Sequence, residues 1–512
     1  MSLPEPRPEP TATPVPGAAG AVAAHFDSYA EARDGWKEKN RYYHEQLSVL
    51  ARQLVPPGKR VLELGCGTGD LLAALEPDPA SSLGVDLSAR MVARAREKHP
   101  SLSFQVADAE DLALHAGTTF DVIVLSDLVG YLTDVYATLR RLHAVCHAET
   151  RILITYFNFL WEGALTLGER LGLKMPQNTQ NWLSRQDIEN LLFLADFRVV
   201  DEGVRLLVPK AVPVVAPLLN ALAPRTPGLK HLCLVQFFVA QAQPNPIRRE
   251  DPSVTVVVPC RNEAGNVHDA IARMPRLGRH TEVLFVDGSS TDGTVERIEA
   301  EIKANPSMDI KLLHQVSPEE VARQKERPDR MLKLGKGDAV RKAFEAATGD
   351  VLMILDADLT VPPEDLPKFL DPLLEGKADF VNGSRLVYPL EDQSMRFLNL
   401  CGNKVFSLIF SWLLEQPIKD TLCGTKVLRR ADYRRIQANR AYFGEFDPFG
   451  DFDLLFGAAR LGMEIVDMPI RYKRRTSGDS KVRVVGHGWL LLRMSLIGFR
   501  KLKLRRWLGG TP

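Results

Sequence analysis

The sequence predicts an α/β protein with two domains, each built on its own sheet. Its length of 512 residues exceeds what one hydrophobic core usually organises. From Arg60 onward, short apolar or β-branched runs alternate with helical patterns, which is typical of a doubly wound parallel sheet. The same alternation restarts at about residue 252, after a polar segment that contains prolines. We therefore expect two α/β domains in tandem.

Changes in composition along the chain indicate where the domains begin and end. Proline density at the N-terminus prevents regular structure, and lysines and arginines mixed with apolar residues mark the other end. The predicted segments are a disordered proline-rich tail (1–22), a first α/β domain (23–242), a linker (243–252), a second α/β domain (253–485) and a basic amphipathic C-terminal segment (486–512).

Composition excludes several classes of protein. A formal net charge of +1 gives no general attraction to nucleic acid. The six cysteines form no CxxC pair, which argues against zinc sites and a disulfide framework and favours a reducing cytoplasm. No stretch reaches the roughly 18 to 20 apolar residues that span a bilayer. We expect a cytoplasmic protein whose contact with a membrane, if any, is peripheral.

A glycine-rich turn marks the first site. The segment ELGCGTG at 63–69 follows a predicted strand and opens a helix, so its glycines let the backbone turn sharply against a ligand. The spacing GxGxG differs from the GxGxxG of dinucleotide-binding dehydrogenases. Asp86 ends the next strand, where a carboxylate can accept hydrogen bonds from both hydroxyls of a ribose. Asp108 ends the third strand and is placed to accept from an adenine amino group.

These features, together with FDVIVLSDLV, resemble the class I S-adenosylmethionine-dependent methyltransferases over about residues 25–242. The resemblance implies a Rossmann-like sheet, S-adenosylmethionine as cofactor and a set of binding positions. These positions are Glu63, Gly65, Cys66, Gly67 and Gly69 around the amino-acid part, Asp86 and Met91 at the ribose and adenine, Asp108 and Ala109 at the adenine, and Ser126 beneath the sulfonium.

The methyl acceptor cannot be read from the sequence. Methyl transfer mainly requires an oriented nucleophile beside an activated sulfonium, so the catalytic residues are sparse. Tyr42, Tyr43 and Tyr131 either line the acceptor pocket or pack as core aromatics, and the pattern is compatible with both.

Two strand-end acids open the second half. VTVVVPCRNEAGNV and EVLFVDGSSTDGT place Glu263 and Asp287 after consecutive strands. The pair resembles the nucleotide-binding half of family 2 glycosyltransferases, in which these acids contact base and ribose. Many members have a second acid where this chain has Gly288, so the resemblance does not identify the base.

The segment GDVLMILDADLTVPPEDL delivers Asp356 and Asp358 from an apolar strand into a turn. Two carboxylates at this spacing can hold Mg²⁺ or Mn²⁺ and leave positions open for a diphosphate. Such a metal neutralises the leaving nucleoside diphosphate. The resemblance implies a nucleotide-sugar site at Pro259, Glu263, Asp287, Lys336, Asp356, Ala357 and Asp358.

Later segments indicate the subclass. VNGSRLV, MRFLNLCGNKVFSLIF, IKDTLCGTKVL and GDFDLLFGAARLGMEIVDMPIRYKRRTSGDSKVR resemble the dolichyl-phosphate mannose synthase type of family 2 over about residues 252–500. The resemblance implies a GT-A type nucleotide-sugar-binding domain, a polyprenyl-phosphate acceptor and a single inverting displacement. Processive polysaccharide synthases carry a QxxRW motif and flanking membrane helices, and we find neither in this sequence.

The residue types after the metal site favour a phosphate acceptor. Guanidinium groups bind phosphate oxygens bidentately, and a phosphate monoester is already an anionic nucleophile at neutral pH. The candidate acceptor residues are Arg385, Arg396, Arg475 and Lys481, and Arg385 is also a candidate catalytic residue. Solvated surface charges are the alternative interpretation of these cations.

A hydroxyl acceptor is the alternative substrate, and it would require a general base. Asp451 or Asp453, in the segment GDFDLLF, could supply that base.

The basic C-terminal segment leaves two interpretations open. It can lie as an amphipathic helix in the headgroup region at the inner face of the membrane, or it can pack on the core with a basic exposed end. The proline-bearing segment LLVPKAVPVVAPLLNALAP in the first half raises the same question, since it can equally form a lid over an acceptor pocket.

The leading hypothesis is a bifunctional enzyme that forms a polyprenyl-phosphate sugar and methylates a related glycan or lipid. A glycosyltransferase that acts on a hydroxyl, with methylation as a tailoring step, is the second. The third makes the methyltransferase half a cofactor-binding scaffold without turnover.

Overall fold

A computed structural model describes most of the chain, which divides into two compact units, 1–245 and 246–512. The described residues are 18–111, 117–177, 181–243, 251–316, 335–388, 397–442, 450–471 and 484–504.

Seven strands of the first unit form one mixed sheet in the order β3-β2-β1-β4-β5-β7-β6. Strands β1 to β5 are mutually parallel, and β7 pairs antiparallel with both β5 and β6. The strands are β1 (Val61–Leu64), β2 (Leu83–Asp86), β3 (Ser103–Val106), β4 (Phe120–Ser126), β5 (Cys146–Phe157), β6 (Phe197–Arg205) and β7 (Val235–Ala242).

The predicted parallel sheet is thus correct for β1 to β5 and wrong for β7. The short connection between β6 and β7 explains why β7 runs antiparallel to its neighbours. Only 29 residues, 206–234, separate β6 from β7, and they contain short helices that return the chain beside β6 with the opposite direction.

Helices cover both faces of this sheet. All four residues of β1 are therefore buried, and all except Glu63 are apolar. The helices are α1 (Ala18–Tyr29), α2 (Arg33–Lys39), α3 (Arg41–Leu54), α4 (Asp70–Ala74), α5 (Ala89–Lys98), α6 (Val135–Leu142), α7 (Glu162–Arg170), α8 (Arg185–Leu194) and α9 (Val215–Leu222), with 3-10 turns at His143–Val145, Phe159–Trp161, Ala223–Arg225 and Leu229–Leu232.

Helix α1 begins inside the segment that the sequence assigned to the disordered tail. Residues 18–22 belong to this helix, so the prediction is wrong for them. The run AAGAVAA follows the last proline of the tail, and alanine is the strongest helix former. Residues 1–17 lie outside the described residues.

The second unit has a similar sheet, with strand order β10-β9-β8-β11-β13-β12-β14. Only β13 runs against its neighbours β11 and β12 among these strands. The strands are β8 (Ser253–Cys260), β9 (His280–Asp287), β10 (Asp309–His314), β11 (Val351–Ile354), β12 (Phe380–Ser384), β13 (Lys426–Arg429) and β14 (Ile465–Pro469).

A separate core holds the second unit together. Phe380 of β12 and Leu428 of β13 pack there with aromatic side chains from the surrounding helices. The helices are α10 (Val267–Ala272), α11 (Thr294–Ala304), α12 (Lys336–Ala346), α13 (Leu366–Leu374), α14 (Phe397–Leu414), α15 (Arg430–Ala438), α16 (Asp451–Arg460) and α17 (Val484–Gly498), with a 3-10 turn at Pro363–Asp365, another at Arg440–Tyr442 and a π-helical turn at Phe499–Leu504.

None of the helices within the described ranges is long and apolar enough to cross a bilayer. The predicted C-terminal segment corresponds to α17 and the π-helical turn as far as residue 504.

Candidate active sites

The first candidate site is a cavity of about 340 Å³ at the carboxyl end of the first sheet. Strand order reverses direction between β1 and β4, and parallel sheets open a crevice at such a point. Seven of the predicted cofactor residues line the cavity. They are Gly65, Gly67, Asp86, Met91, Asp108, Ala109 and Ser126.

The glycine turn presents bare backbone to this cavity. Gly65 and Gly67 have φ of +74° and +53°, in the left-handed region that favours glycine. The Gly65 amide donates to Val85 O at 2.7 Å, and the Gly67 amide donates to Asp86 Oδ2 at 2.8 Å. A Cβ added at Gly67 would meet no atom within 4 Å. A ligand can therefore approach the main chain closely at this point.

The other three predicted cofactor residues do not line the cavity. The Cys66 side chain packs in the hydrophobic core, and burial raises the pKa of its thiol. Gly69 precedes α4, and a Cβ there would lie 2.6 Å from Phe104. Glu63 is buried within β1, and burial raises its pKa to about 8. These three residues therefore stabilise the glycine turn from outside the cavity lining.

Two strand-end carboxylates complete the polar wall. Asp86 accepts hydrogen bonds from the amides of Gly67 and Ser88, at 2.8 and 2.9 Å, although burial still raises its pKa. Asp108 accepts from the Glu110 amide at 2.8 Å. Ser88 also caps α5 by accepting from the Met91 amide, which holds Met91 against the cavity. Hydroxyl and amino groups of a nucleoside find acceptors here.

Sequence reasoning missed Asp127, which follows β4 and lines the same cavity. Tyr43 donates its hydroxyl proton to Asp127 Oδ2 at 2.6 Å, whereas Oδ1 is buried without a hydrogen-bond partner. Burial raises the pKa of Asp127 to about 6. Its φ of +54° is uncommon for a residue with a side chain. The only signal in the sequence was an acid directly after the strand.

The three tyrosines that were candidates for a pocket lining are separated. Tyr43 and Tyr131 line the cavity, and Tyr131 packs edge-on against Phe26. Tyr42 lies elsewhere, where its hydroxyl accepts from Asn220 Nδ2 at 3.2 Å.

The second candidate site lies at the carboxyl ends of β8, β9 and β11. Here too the strand order reverses, between β8 and β11. Pro259 pairs in register with Val286, which brings the ends of β8 and β9 together. Asp287 is buried and accepts from the amides of Ser289 and Ser290 at 3.0 and 3.2 Å.

Glu263 lies in the loop that follows β8. Its Oε2 accepts from Asn266 Nδ2 at 2.8 Å, and its amide donates to Thr294 Oγ1 at 3.0 Å. Gly288 lies in tight surroundings, because a Cβ there would come within 3.3 Å of Gln315 Oε1 and 3.4 Å of Cys260 O. Any larger side chain would have to displace these neighbours.

Asp356 and Asp358 follow β11, with Ala357 buried between them. Lys336 Nζ lies 2.5 Å from Asp356 Oδ1. Asp358 Oδ1 accepts from the hydroxyl and the amide of Thr360, at 2.7 and 3.1 Å. Burial by itself would raise the pKa of Asp356, but the charges of Lys336, Arg385 and Lys426 lower it below its ordinary value. This carboxylate is therefore held in its ionised form.

A close approach of the loop before β13 shapes this site. A Cβ at Gly424 would lie 2.1 Å from Asp356 Oδ2 and 2.4 Å from Lys336 Nζ. Lys426 is fully buried, and its Nζ lies 3.8 Å from Asp451 Oδ1. Neither Gly424 nor Lys426 was singled out from the sequence, because the loop comes together with the metal-site segment only in the fold.

Arg385 is held by a carboxylate that the sequence did not identify as its partner. The Asp420 carboxylate accepts hydrogen bonds from Arg385 Nε at 2.7 Å and from a terminal guanidinium nitrogen of Arg385 at 2.9 Å. Burial largely shields this ion pair from solvent. Burial would raise the pKa of Asp420, but Arg385 lowers it. The guanidinium is thus fixed in orientation near Asp356.

The two candidate bases face different partners. Asp451 lies near Lys426, whereas Asp453 Oδ2 lies 3.0 Å from Arg440 Nε. The three remaining acceptor candidates, Arg396, Arg475 and Lys481, lie outside the described residues.

The two carboxylates of the metal site expected from the sequence both follow β11, one residue apart. In the described ranges, no group of three or more His, Cys, Asp or Glu side chains that could hold a metal ion occurs. Asp356 and Asp358 supply the hard oxygen donors that Mg²⁺ or Mn²⁺ prefers, and Mg²⁺ is commonly held by one or two carboxylates together with substrate phosphates. The donor chemistry fits such a cation.

Two protein-family models match this chain. The one described as "Methyltransferase domain" matches residues 36–202, and the one described as "Glycosyl transferase family 2" matches residues 255–325 and 330–436.

Three curated relatives are each similar over 45% of the chain. An uncharacterized glycosyltransferase of Mycobacterium bovis is 30% identical, with 89% of its length covered. An undecaprenyl-phosphate mannosyltransferase of Micrococcus luteus is 28% identical, with 87% covered. A dolichol-phosphate mannosyltransferase of Pyrococcus furiosus is 27% identical, and the chain spans 59% of that protein's length. It spans 60% or less of three relatives from Haloferax volcanii.

Proposed function

Because the chain belongs to the family 2 glycosyltransferases through its second half and carries a methyltransferase domain in its first half, we propose that it is a bifunctional transferase. The second half transfers a sugar from a nucleotide-sugar to a polyprenyl phosphate, with the help of a divalent cation. The first half uses S-adenosylmethionine to methylate a related glycan or lipid. The observation that carries the proposal is the pair Asp356 and Asp358 at the end of β11, beside Lys336.

Asp356 and Asp358 would hold the cation together with the donor's diphosphate. When bound, Mg²⁺ or Mn²⁺ supplies positive charge for the departing nucleoside diphosphate. Lys336 adds a fixed ammonium to the same site, and charge placed in advance where negative charge develops lowers the barrier. Glu263 and Asp287 offer acceptors to the base and ribose at the neighbouring strand ends.

A phosphate acceptor suits the charge of this site. The phosphate oxygen attacks the anomeric carbon, and the bond to the diphosphate breaks in the same inverting step. Asp420 holds Arg385 in a fixed orientation near Asp356, where a guanidinium can bind phosphate. The Micrococcus relative is an undecaprenyl-phosphate mannosyltransferase and the Pyrococcus relative a dolichol-phosphate mannosyltransferase, which supports this acceptor class.

A hydroxyl acceptor, the second candidate, would need one of the two carboxylates of α16 as a base. Asp453 is paired with Arg440, which opposes this role, and Asp451 lies beside the buried Lys426. Replacing either acid by Asn should lower the rate less than about tenfold with a phosphate acceptor, whereas loss of a general base costs about 10² to 10⁴. A loss of that size in Asp451→Asn would favour the hydroxyl.

The first half fits S-adenosylmethionine through the open glycine turn and the two strand-end acids. Gly67 offers backbone without a side chain, and Asp86 and Asp108 offer carboxylates to a nucleoside. Bound there, the cofactor supplies an activated methyl group. The cavity walls beside Ser126 would then orient the acceptor.

Peripheral membrane contact of the second half is supported by two helices with exposed apolar side chains. Leu408 and Trp412 of α14 and Leu492 and Leu496 of α17 are exposed. Basic residues follow in the turn Phe499–Leu504. An apolar surface with exposed arginine side chains nearby suits an anionic leaflet and an acceptor embedded in it.

The decisive experiment incubates the full chain with Mn²⁺, polyprenyl phosphate and a panel of UDP- and GDP-sugars, and measures nucleoside diphosphate released with and without the lipid. Lipid-dependent release that falls at least about 100-fold in Asp358→Ala supports the proposal. Asp379→Ala, an exposed acid before β12, should keep the wild-type rate. If nucleoside diphosphate release does not depend on the lipid with any donor, the proposed polyprenyl-phosphate acceptor is wrong.

Calorimetry with S-adenosylhomocysteine tests the first half. Binding followed by transfer of labelled methyl to the product lipid is the expected result. Binding without transfer to any glycan or lipid offered would favour a scaffold, and no binding would contradict the methyltransferase assignment of this site.

A further inference from the structure

Helix α9 has the reverse of the usual arrangement of polar and apolar side chains. Its sequence is VAPLLNAL, and its one polar side chain, Asn220, turns inward. Asn220 donates to Val208 O at 2.9 Å and accepts from the Val208 amide at 2.8 Å. Only Ala216 of the helix is buried. A surface helix normally packs its apolar side against the core. In α9 the apolar side faces outward, which indicates that this side contacts something other than water.

The exposed apolar side chains extend beyond this helix. Val214 is 78% exposed and Leu218 is 56% exposed, although both are large hydrophobic residues. We call the exposed side chains of Val214, Val215, Leu218, Leu222, Leu229 and Leu232 the apolar face. Contiguous exposed apolar surface of this kind is uncommon on soluble monomers and marks an interaction site.

The segment that carries the apolar face is purely cationic. Residues 203–249 contain no Asp or Glu. Lys210, Arg225 and Lys230 belong to this segment, and all three are exposed. An anionic surface is attracted to such a segment.

Hydrogen bonds hold this segment firmly to the body of the first unit. Trp161 Nε1 donates to Leu232 O at 2.8 Å. Lys210 Nζ donates to Asn40 Oδ1 at 2.8 Å. The apolar face is therefore presented by an ordered element and does not need to fold when it meets a partner.

The segment that carries the apolar face also contributes residues to the first cavity. Pro209, Lys210 and Leu234 line the cavity and flank the face in sequence. On the other side, Trp161 and Leu165 also line it, and exposed Leu167 belongs to the same helix as Leu165.

We infer that the apolar face docks the first half on an anionic bilayer, with Val214, Leu218 and Leu222 in the upper acyl region and Lys210, Arg225 and Lys230 at the phosphates. Short apolar elements flanked by cations bind at this depth of a membrane. The inward Asn220 leaves no polar side chain of α9 to be dehydrated. The inference goes beyond the proposed function, because it assigns a membrane surface to the methyltransferase half and does not depend on α14 or α17.

The test compares amide hydrogen exchange of the full chain without vesicles, with phosphatidylcholine vesicles, and with vesicles that also contain about 30% phosphatidylglycerol. We expect peptides from 206–232 to exchange at least about fivefold more slowly with the anionic vesicles only, since a bilayer shields amides and cations select the charge. Unchanged exchange in these peptides would overturn the inference.

The variant carrying Val215→Asp, Leu218→Asp and Leu222→Asp should lose this protection. The matched control, Phe193→Asp with Val200→Asp, changes exposed apolar residues of the same unit outside the face and should keep it. Equal protection in both variants would contradict the proposal. Calorimetry with S-adenosylhomocysteine checks that each variant still binds the cofactor product.

Two further measurements distinguish the remaining outcomes. Sedimentation velocity without lipid tests whether a second copy of the chain covers the face, and a dimer that the triple variant abolishes would overturn membrane docking. Peptides from 484–504 report on the second half. If vesicles slow exchange in peptides from 484–504 but not in those from 206–232, the proposed function stands and only this inference is wrong.

Discussion

At the scale of single residues, the two sites differ in how they treat buried acids. Glu63 and Asp127 of the first half have pKa values raised by burial, whereas cations keep the pKa of Asp356 in the second half low. A buried carboxyl without a cationic partner favours its neutral form, and one beside an ammonium favours its charged form. Burial therefore favours the neutral form of Glu63 and Asp127, whereas neighbouring cations favour the ionised form of Asp356.

Glu63 should make the first half less stable as pH rises. Its pKa is about 8 when folded and about 4.3 when unfolded, so between these values only the unfolded chain releases the proton. The stabilisation is complete at low pH and is lost as pH rises through 8. From about pH 5.5 to 7.5, Glu63→Gln should gain up to about 2.7 kcal/mol in free energy of unfolding relative to wild type. Denaturant unfolding of the first unit measures this difference.

Glu149→Gln, which replaces an exposed acid of β5, is the control and should show no such trend. A difference between Glu63→Gln and wild type that is independent of pH would contradict the assigned pKa shift.

Gly424 is the residue where one methyl group should disable sugar transfer. In Gly424→Ala, the added Cβ would lie within 2.4 Å of both Asp356 and Lys336, so the pair must separate. We expect at least a tenfold lower kcat, about 1.4 kcal/mol, with the fold retained. Initial rates of nucleoside diphosphate release measure the effect. Gly163→Ala, in a helix where the new Cβ meets nothing within 4 Å, should behave as wild type.

At the scale of secondary-structure elements, the strand-to-helix turns carry the predictable part of each site. Asp86, Asp108, Asp287 and Asp356 were found from the sequence because parallel strands bring their carboxyl ends to one edge. Partners that come from distant segments were missed. Asp420 lies 35 residues from Arg385, and no local pattern connects them. The reversal of β7 was missed because an apolar run does not record strand direction.

The glycine turn after β1 should determine cofactor affinity. Gly67→Ala places a Cβ in the open space of the cavity and also forces a side chain into left-handed backbone. Gly117→Ala also forces a side chain into left-handed backbone, since Gly117 has φ of +94°, but it adds no atom to the cavity. We expect S-adenosylhomocysteine to bind at least about tenfold more weakly to Gly67→Ala only, a change of about 1.4 kcal/mol. Equal affinities by calorimetry would mean that the ligand does not approach this turn.

At the scale of the whole molecule, the two units should respond to ligands separately. Each has its own sheet and its own core cluster. S-adenosylhomocysteine at 100 times its dissociation constant should stabilise the first unit by about 2.7 kcal/mol. UDP or GDP with Mn²⁺ should stabilise the second unit instead. Calorimetric scans should therefore resolve two transitions that shift one at a time. A single transition moved by either ligand would show that the halves unfold together.

Sequence reasoning recovered the two-domain α/β organisation, because alternating periodicities are a local property of the chain. It could not recover the apolar face, since the segment LLVPKAVPVVAPLLNALAP reads equally as buried or exposed. Only the fold shows that Asn220 turns inward and the leucines outward. The cavity likewise depends on residues from α1 to β7 that meet in three dimensions.

Both sheets put their chemistry where the strand order reverses, between β1 and β4 in one and between β8 and β11 in the other. The strand ends supply one side of each site, while Pro209 and Lys210 in the first half and Gly424 in the second come from segments outside the sheets. Loops can change sequence and length at little cost to a sheet. Acceptor choice in this architecture is therefore free to diverge between relatives, with each half able to acquire a new substrate while its partner keeps the old one.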